Sequence, residues 1–359
     1  MTTEPTATDV GDGPGADGGT SAGIDLPRVT EWIVANVDGL TPPFTPRFIS
    51  GGRSNLTYQL VDATGRAIVL RRPPLGHVLQ SAHDMGREHR IIAALRDTDV
   101  PVANALGLCE DVSVNDAPFY LMDFVDGAVL ATIDDANAYP EASRTRAAEE
   151  LIDVLGRLHA VDPDAVGLGT LGRKEGYIAR QLKRWHTQFT QSKTRELPLL
   201  DEVHDRLEAR MPPQRWTGIV HGDFRLGNMI LGADGSLLAV LDWELATLGD
   251  TLADLGWLLS GWVEAGEPTR GPFPPPTTAT GFPTRDGLAE RYGKVTGRDL
   301  SDLPYYLAFA RWRGACISEG VLNRYKRAVM GEVDFDLDAM ATSVELSVNA
   351  ARDALDQLG

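Results

Sequence analysis

The chain has 359 residues, 43% hydrophobic and 24% charged, with a formal net charge of −17. This suits a chain of about two domains with a real core, and its acidic field disfavours nucleic acid and anionic membrane surfaces as partners. Its two cysteines, Cys109 and Cys316, are too few and too far apart for a disulfide framework or a cysteine metal site; with no recognisable export signal or membrane-length apolar run, the expected location is cytoplasmic.

Residues 1–25 are small, polar, Gly-rich and acidic, and read as a disordered tail. Apolar spacing then predicts a helix over Pro27–Val37. Strands are expected at Arg47–Ile49, Leu56–Asp62 and Ala67–Leu70, a helix at Asp84–Leu95, and strands at Ala105–Glu110 and Phe119–Phe124. After the break at Asp126–Gly127, helical patterns dominate: Glu141–His159, Gly176–Phe189, Leu199–Arg210, Thr251–Val263, Arg285–Thr296, Pro304–Tyr325 and Leu337–Leu358. Two short strands, Asn228–Leu231 and Leu237–Leu241, flank an Ala-Asp-Gly-Ser turn. The Pro/Gly-rich stretch Gly266–Pro283 is long enough to read as a lid. The expected organisation is a sheet-rich lobe over 26–125 and a larger helical lobe over 126–359.

The strongest chemical signal is His221-Gly222-Asp223-Phe224-Arg225-Leu226-Gly227-Asn228, followed by the hairpin and Leu241-Asp242-Trp243-Glu244. An Asp and an Asn five residues apart on one loop can share a cavity, and the hairpin returns Asp242 toward it. The set supplies an acid near a nucleophile's proton, together with an amide and a carboxylate oxygen for a hard cation such as Mg²⁺. It matches the template H-R-D-x-x-x-x-N followed by a metal-binding Asp.

With GGRSNLTYQL, VLRRPP, HGDFRLGN and LDWELATLGDTLADLGWLL, the chain from about residue 27 onward resembles the aminoglycoside phosphotransferase and choline kinase superfamily. Its motifs are most similar to bacterial relatives of the kinase-like domain fused to acyl-CoA dehydrogenases in animals. The resemblance implies a two-lobed, protein-kinase-like α+β fold, with a small antiparallel-sheet lobe carrying one main helix and a larger helical lobe. It implies an ATP- and Mg²⁺-dependent phosphotransferase acting on a hydroxyl of a small molecule. Asp223 would then be the catalytic base or hydroxyl-positioning residue, and Asn228 and Asp242 would hold Mg²⁺. Trp-Glu follows the metal-binding Asp in place of Phe-Gly, and no Ala-Pro-Glu follows, which argues against a protein kinase.

On the nucleotide side, Gly51, Gly52, Arg53, Ser54 and Asn55 lie between two strand signals, where glycines let backbone N–H groups approach phosphates. Asp123, Phe124 and Val125 occupy the hinge position, and the resemblance implies that the Asp123 carbonyl and the Val125 N–H bond the adenine edge. Lysine occurs only at positions 174, 183, 193, 294 and 326, so the phosphate-binding strand lysine is missing. Arg71 takes its place, with Glu88 as the orienting partner and Arg72 on the opposite, solvated face. His159, Asp250 and Asp254 read as structural, Asp250 as a helix cap, and the resemblance implies that Asp254 braces the catalytic-loop backbone. His77, His83 and His89 do not read as a metal cluster. Trp257, Trp262, Tyr305, Tyr306, Phe309 and Trp312 read mostly as core by helical spacing, with a minority expected to line an apolar substrate pocket. The closer resemblance implies a hydroxyacyl-CoA or hydroxy acid as acceptor, which fits the aromatic residues and Arg311 and Arg313 of the helical lobe, ahead of an aminoglycoside or amino alcohol. A second, dehydrogenase domain does not fit within this length. The alternative is a weakly active pseudokinase serving as a nucleotide-binding scaffold, favoured by the missing lysine and opposed by the three filled positions. Oligomeric state is not legible.

Overall fold

The computed structural model describes residues 23–50, 55–75, 84–267, 269, 273–327 and 336–358. The chain forms two compact units, one from residues up to His89 with Asn104–Phe124, the other from Arg90–Ala103 and Val125 onward. The sequence reading places residues 90–103 in the first lobe; here they group with the second unit. The tail up to residue 22, the glycine-turn residues Gly51, Gly52, Arg53 and Ser54, and His77 and His83 lie outside the described residues.

The first unit contains α1 (Leu26–Asn36), β1 (Thr45–Ser50), β2 (Leu56–Val61), β3 (Ala67–Arg72), the start of α2 (Met85–Leu95), β4 (Ala105–Cys109), the short α3 (Val112–Asn115) and β5 (Phe119–Asp123). Asp25 caps α1 by accepting the Arg28 N–H at 3.2 Å, and Pro27 sits in the first turn, where its missing N–H is harmless. The strands form one antiparallel sheet in the order β1-β2-β3-β5-β4. Period-two alternation puts Leu56, Tyr58 and Leu60 of β2 into one core with Ile68 and Leu70 of β3, Phe119 and Leu121 of β5, and Val29 and Ile33 of α1.

That alternation corrects one expectation. Arg72 does lie on the face opposite Arg71, but this face is the one packed into the core with α1. Its buried guanidinium donates to the Gly23, Pro73 and Asn115 carbonyls instead of meeting solvent.

The second unit continues with α4 (Ile133–Ala138), α5 (Glu141–Ala160), α6 (Tyr177–Ser192), α7 (Pro198–Ala209), β6 (Thr217–Val220), β7 (Met229–Leu231), β8 (Leu237–Val240), β9 (Thr247–Asp250), α8 (Leu252–Gly261), α9 (Arg285–Thr296), α10 (Leu303–Lys326) and α11 (Leu337–Asp356). Helix α10 packs against α6, α7, α8 and α11, which explains why Tyr305, Tyr306, Phe309 and Trp312 are buried core residues. Strands β6 and β9, absent from the sequence reading, pair antiparallel from Thr217↔Asp250 to Val220↔Thr247. The β7–β8 hairpin pairs Met229 with Val240. These two ladders hold the ends of the 221–228 loop and the return to Asp242. Gly127 is needed for close approach, because a Cβ there would lie 2.7 Å from the Leu231 carbonyl oxygen. Among the described residues no helix is long and apolar enough to cross a membrane.

Candidate functional site

The loop from His221 to Asn228 is fixed by three buried side chains. Asp254, in the first turn of α8, accepts the backbone N–H groups of His221 at 2.6 Å and Gly222 at 2.8 Å. His159 adds a contact to the same carboxylate at 3.4 Å and meets the Tyr292 hydroxyl at 2.7 Å. Burial lowers the His159 pKa and keeps the ring neutral, so this histidine braces the core and adds no charge to the end of α5. Arg313 of α10 donates to the Gly222 carbonyl at 2.8 Å. Gly222 itself has φ of +87°, and a Cβ there would press on Leu245 at 3.0 Å.

His221 ties the loop to the hairpin. Its Nε2 lies 2.9 Å from the Leu241 carbonyl, which can only accept, so Nε2 carries the proton and Nδ1 accepts the Asp223 N–H at 3.3 Å. The Leu241 N–H donates to the Asn228 carbonyl at 2.8 Å. Asp242, the next residue, takes the left-handed conformation with φ of 64° and ψ of 65°. For a non-glycine residue that is a strained geometry, of the kind concentrated at functional sites. The sequence-predicted pair Asn228 and Asp242 is thus brought to adjoining ends of two backbone segments.

Asp223 is held at both carboxylate oxygens. Trp257 Nε1–H donates to Oδ1 at 2.9 Å, while Asn228 Nδ2 and Arg225 Nε approach Oδ2 at 2.9 and 3.2 Å. Burial alone would raise its pKa. The Arg225 charge and the Trp257 and Asn228 hydrogen bonds outweigh burial and hold it below the ordinary value, so Asp223 is an anion at neutral pH. Asn228 Nδ2 also donates to the Asp223 carbonyl at 2.8 Å. With its nitrogen engaged, Asn228 has its amide oxygen to offer a cation.

In the first unit, Glu88 is buried, accepts hydrogen bonds from Asn55 Nδ2 at 2.7 Å and the Tyr120 hydroxyl at 3.1 Å, and forms an ion pair with Arg71, whose Nε lies 3.2 Å away. Arg71 and Tyr120 are cross-strand partners, which sets both on the face that meets α2. Asn55, expected in the phosphate turn, thus directs its side chain to Glu88. Asp123 ends β5 with its carboxylate 2.9 Å from Arg66, and Phe124 and Val125 follow as partly exposed irregular backbone. Asp250 accepts the Tyr306 hydroxyl at 2.6 Å and the Leu252 N–H at 3.3 Å, while Thr251 holds the N-cap position of α8.

A family model for the phosphotransferase enzyme family, APH, matches residues 45–290. The chain belongs to this family. It is 37% identical over 286 residues to acyl-CoA dehydrogenase family member 10 of Mus musculus, a match that takes in 78% of the chain and only 26% of that relative. The chain therefore spans about a quarter of that relative's length. Among solved structures it is similar to a candidate aminoglycoside phosphotransferase of Ralstonia eutropha, with 34% identity, a TM-score of 0.76 and coverage of 92% of this chain and 98% of that one. Amicoumacin kinase in complex with AMP-PNP and Ca²⁺ shares the fold at 16% identity, with a TM-score of 0.59 and coverage of 94% and 95%. The two-lobed, kinase-like α+β class expected from the sequence is therefore correct, and the protein is a phosphotransferase acting on hydroxyl groups.

A cavity of about 430 Å³ within the second unit of this phosphotransferase is lined by Trp257, Trp262, Phe273, Pro274–Pro276, Arg225 and Arg311, among others. The lid expectation needs correction for the described part of 266–283. Thr277 Oγ1 bonds both the N–H and the carbonyl of Val263, at 3.1 and 2.9 Å, and Trp262 Nε1 donates to the Pro283 carbonyl at 3.0 Å. These bonds tie the segment at Thr277 and Pro283, and Phe273 to Thr277 line the cavity. Trp257 and Trp262 line the cavity and are not plain core. Arg313, paired with Arg311 in the sequence reading, is buried behind the loop and does not line it. The parts played by His221 and Trp257 went unread. A signal was present for Trp257, since it follows Asp254 by three residues on one helix and so shares its face.

Proposed function

We propose that this phosphotransferase is ATP- and Mg²⁺-dependent and that its acceptor is a small hydroxylated molecule with an apolar part and an anionic group, a hydroxy acid or hydroxyacyl-CoA. The observation that carries the acceptor class is the cavity's lining. In a protein of net charge −17, the charged residues lining it are Arg225, which pairs with Asp223, and Arg311, with no carboxylate among the described lining residues. Aromatic, proline and aliphatic side chains make up most of the rest, which suits an acyl chain. A polycationic aminoglycoside or a choline-like cation would find no carboxylate among the described lining residues.

The donor set supports a hard cation. Asn228 and Asp242 offer an amide and a carboxylate oxygen, and among the described residues no cluster of three His, Cys, Asp or Glu competes for a metal. When bound, Mg²⁺ would neutralise phosphate charge. Asn228 and Asp242 would hold it, and Asp223, kept anionic by its surroundings, would orient the acceptor hydroxyl and take its proton. Arg71, oriented by Glu88, would bind the nucleotide phosphates in place of the missing lysine, together with Gly51, Gly52, Arg53, Ser54 and Asn55, which the sequence assigns to the same role. Asp123, Phe124 and Val125 would meet the adenine. The structural neighbour crystallised with AMP-PNP and Ca²⁺ supports a nucleotide with a divalent cation.

The test is ATP turnover across a panel of hydroxyacyl-CoAs, hydroxy acids, aminoglycosides and amino alcohols. Turnover with the anionic members is expected. Efficient phosphorylation of an aminoglycoside or amino alcohol, with none of the acids, would overturn the acceptor class.

A further inference from the structure

The cavity wall, Asp223 and the buried cation behind the loop meet at one side chain, Trp257. Its indole lines the cavity, and its Nε1–H holds Asp223 Oδ1 at 2.9 Å. The Arg313 guanidinium lies 4.4 Å from its ring centroid, with a longer contact of 5.4 Å to Trp185. Arg313 is itself unusual. It is only 5% exposed, its Nε makes no hydrogen bond, and no carboxylate among the described residues pairs with it. A buried cation without a counter-ion is expensive, and here the compensation comes from the Gly222 carbonyl and two indole faces. Swinging the Trp257 ring away would remove the nearer of the two indole faces from Arg313. A cation over the ring also draws electron density from it and strengthens the N–H as a donor.

Trp257 thus has three contacts with three different consequences. Arg313 fixes the ring, the N–H sets Asp223, and the remaining surface faces the cavity. We propose that Trp257 is the specificity-determining positioning residue of the phosphoryl transfer: one fixed indole both keeps its N–H on Asp223 Oδ1 and walls the cavity, so that an acceptor packed against it meets a carboxylate already aligned. The proposal rests on the reading of this cavity as the acceptor site.

Two substitutions separate the wall from the donor. Trp257→Phe keeps an aromatic wall and removes the N–H, whereas Trp257→Gln keeps a donor and removes the wall; thermal melting confirms that both fold. With the hydroxyacyl-CoA that turns over fastest, Trp257→Phe should lower kcat about ten- to a hundred-fold, as for loss of a charge-assisted hydrogen bond, with acceptor KM within about three-fold of the parent. Trp257→Gln should show the reverse split, with KM raised and most of kcat retained. A Phe variant with parental kcat, or a loss carried wholly by KM in both variants, would reduce Trp257 to a wall and overturn the proposal. If the parent phosphorylates no member of the panel, the acceptor reading has failed. Trp257 is then judged on ATP hydrolysis with water as acceptor: a rate that falls in the Phe variant but holds in the Gln variant sustains its positioning role, and equal rates in the parent and the Phe variant refute it.

Discussion

Asp254→Asn probes how the 221–228 loop is held. The parent carboxylate accepts two backbone N–H groups, His221 at Oδ2 and Gly222 at Oδ1, with His159 also at Oδ2. An isosteric amide keeps one acceptor oxygen. If that oxygen takes the Oδ2 position, it retains His221 and His159, and the Gly222 N–H then faces an NH₂ group. One buried donor is stranded, a cost of about 1–3 kcal/mol. At ~2–4 °C per kcal/mol, the melting temperature should fall by a few degrees, up to about 10 °C. Activity should fall further, because Gly222 directly precedes Asp223 and a displacement near 1 Å at a reacting group costs on the order of 10²-fold. Nucleotide affinity should barely change. Thermal melting, nucleotide titration and initial rates on one preparation make the comparison. A variant that melts several degrees lower yet keeps kcat within a few-fold of the parent would show that Asp254 braces the fold without positioning Asp223.

Arg71→Ala should weaken ATP binding about ten- to a hundred-fold and leave adenosine binding nearly unchanged, with partial recovery in Arg71→Lys; equal ATP affinity in parent and Ala variant, by titration calorimetry, would refute the assignment. Asp242→Asn should weaken the Mg²⁺-dependent part of nucleotide binding, and identical Mg²⁺ titrations would place the ion elsewhere. Burial raises the Asp250 pKa from 3.8 to about 6, despite the Tyr306 and Leu252 hydrogen bonds. The folded state therefore holds this proton more tightly than the unfolded chain, and the stabilisation is complete below the unfolded pKa and lost as pH rises through about 6. The difference is worth about 3 kcal/mol. Stability measured by urea unfolding, parent minus Asp250→Asn, should therefore increase between roughly pH 7.5 and 5; a flat difference would contradict the buried-carboxylate account.

How much of this was legible depended on how local the cause was. The strands of the first sheet could be read because Leu56, Tyr58 and Leu60 alternate, and the helices because their apolar faces repeat. Strands β6 and β9 were not, since each is four residues long, contains a glycine and is defined by its partner 30 residues away. The spacing of Asp223, Asn228 and Asp242 was visible because one loop and one hairpin carry it. The hydrogen bond from Trp257, the bridge through His221 and the burial of Arg313 depend on tertiary packing, which a single sequence does not display. Arg72 illustrates the same limit. Alternation separated it from Arg71 correctly, but only the packing of α1 over the sheet says that its face is part of the core.

The central claim is phosphoryl transfer to an anionic, hydroxyl-bearing acceptor at Asp223. The most direct measurement is mass spectrometry of the acceptor after incubation with ATP and Mg²⁺, run in parallel on the parent and on Asp223→Asn. The account expects a hydroxy acid or hydroxyacyl-CoA to gain one phosphoryl group with the parent, and a rate lower by ~10²–10⁴-fold with the variant. ATP consumption with no phosphorylated acid, or equal product from the Asn variant, would contradict it.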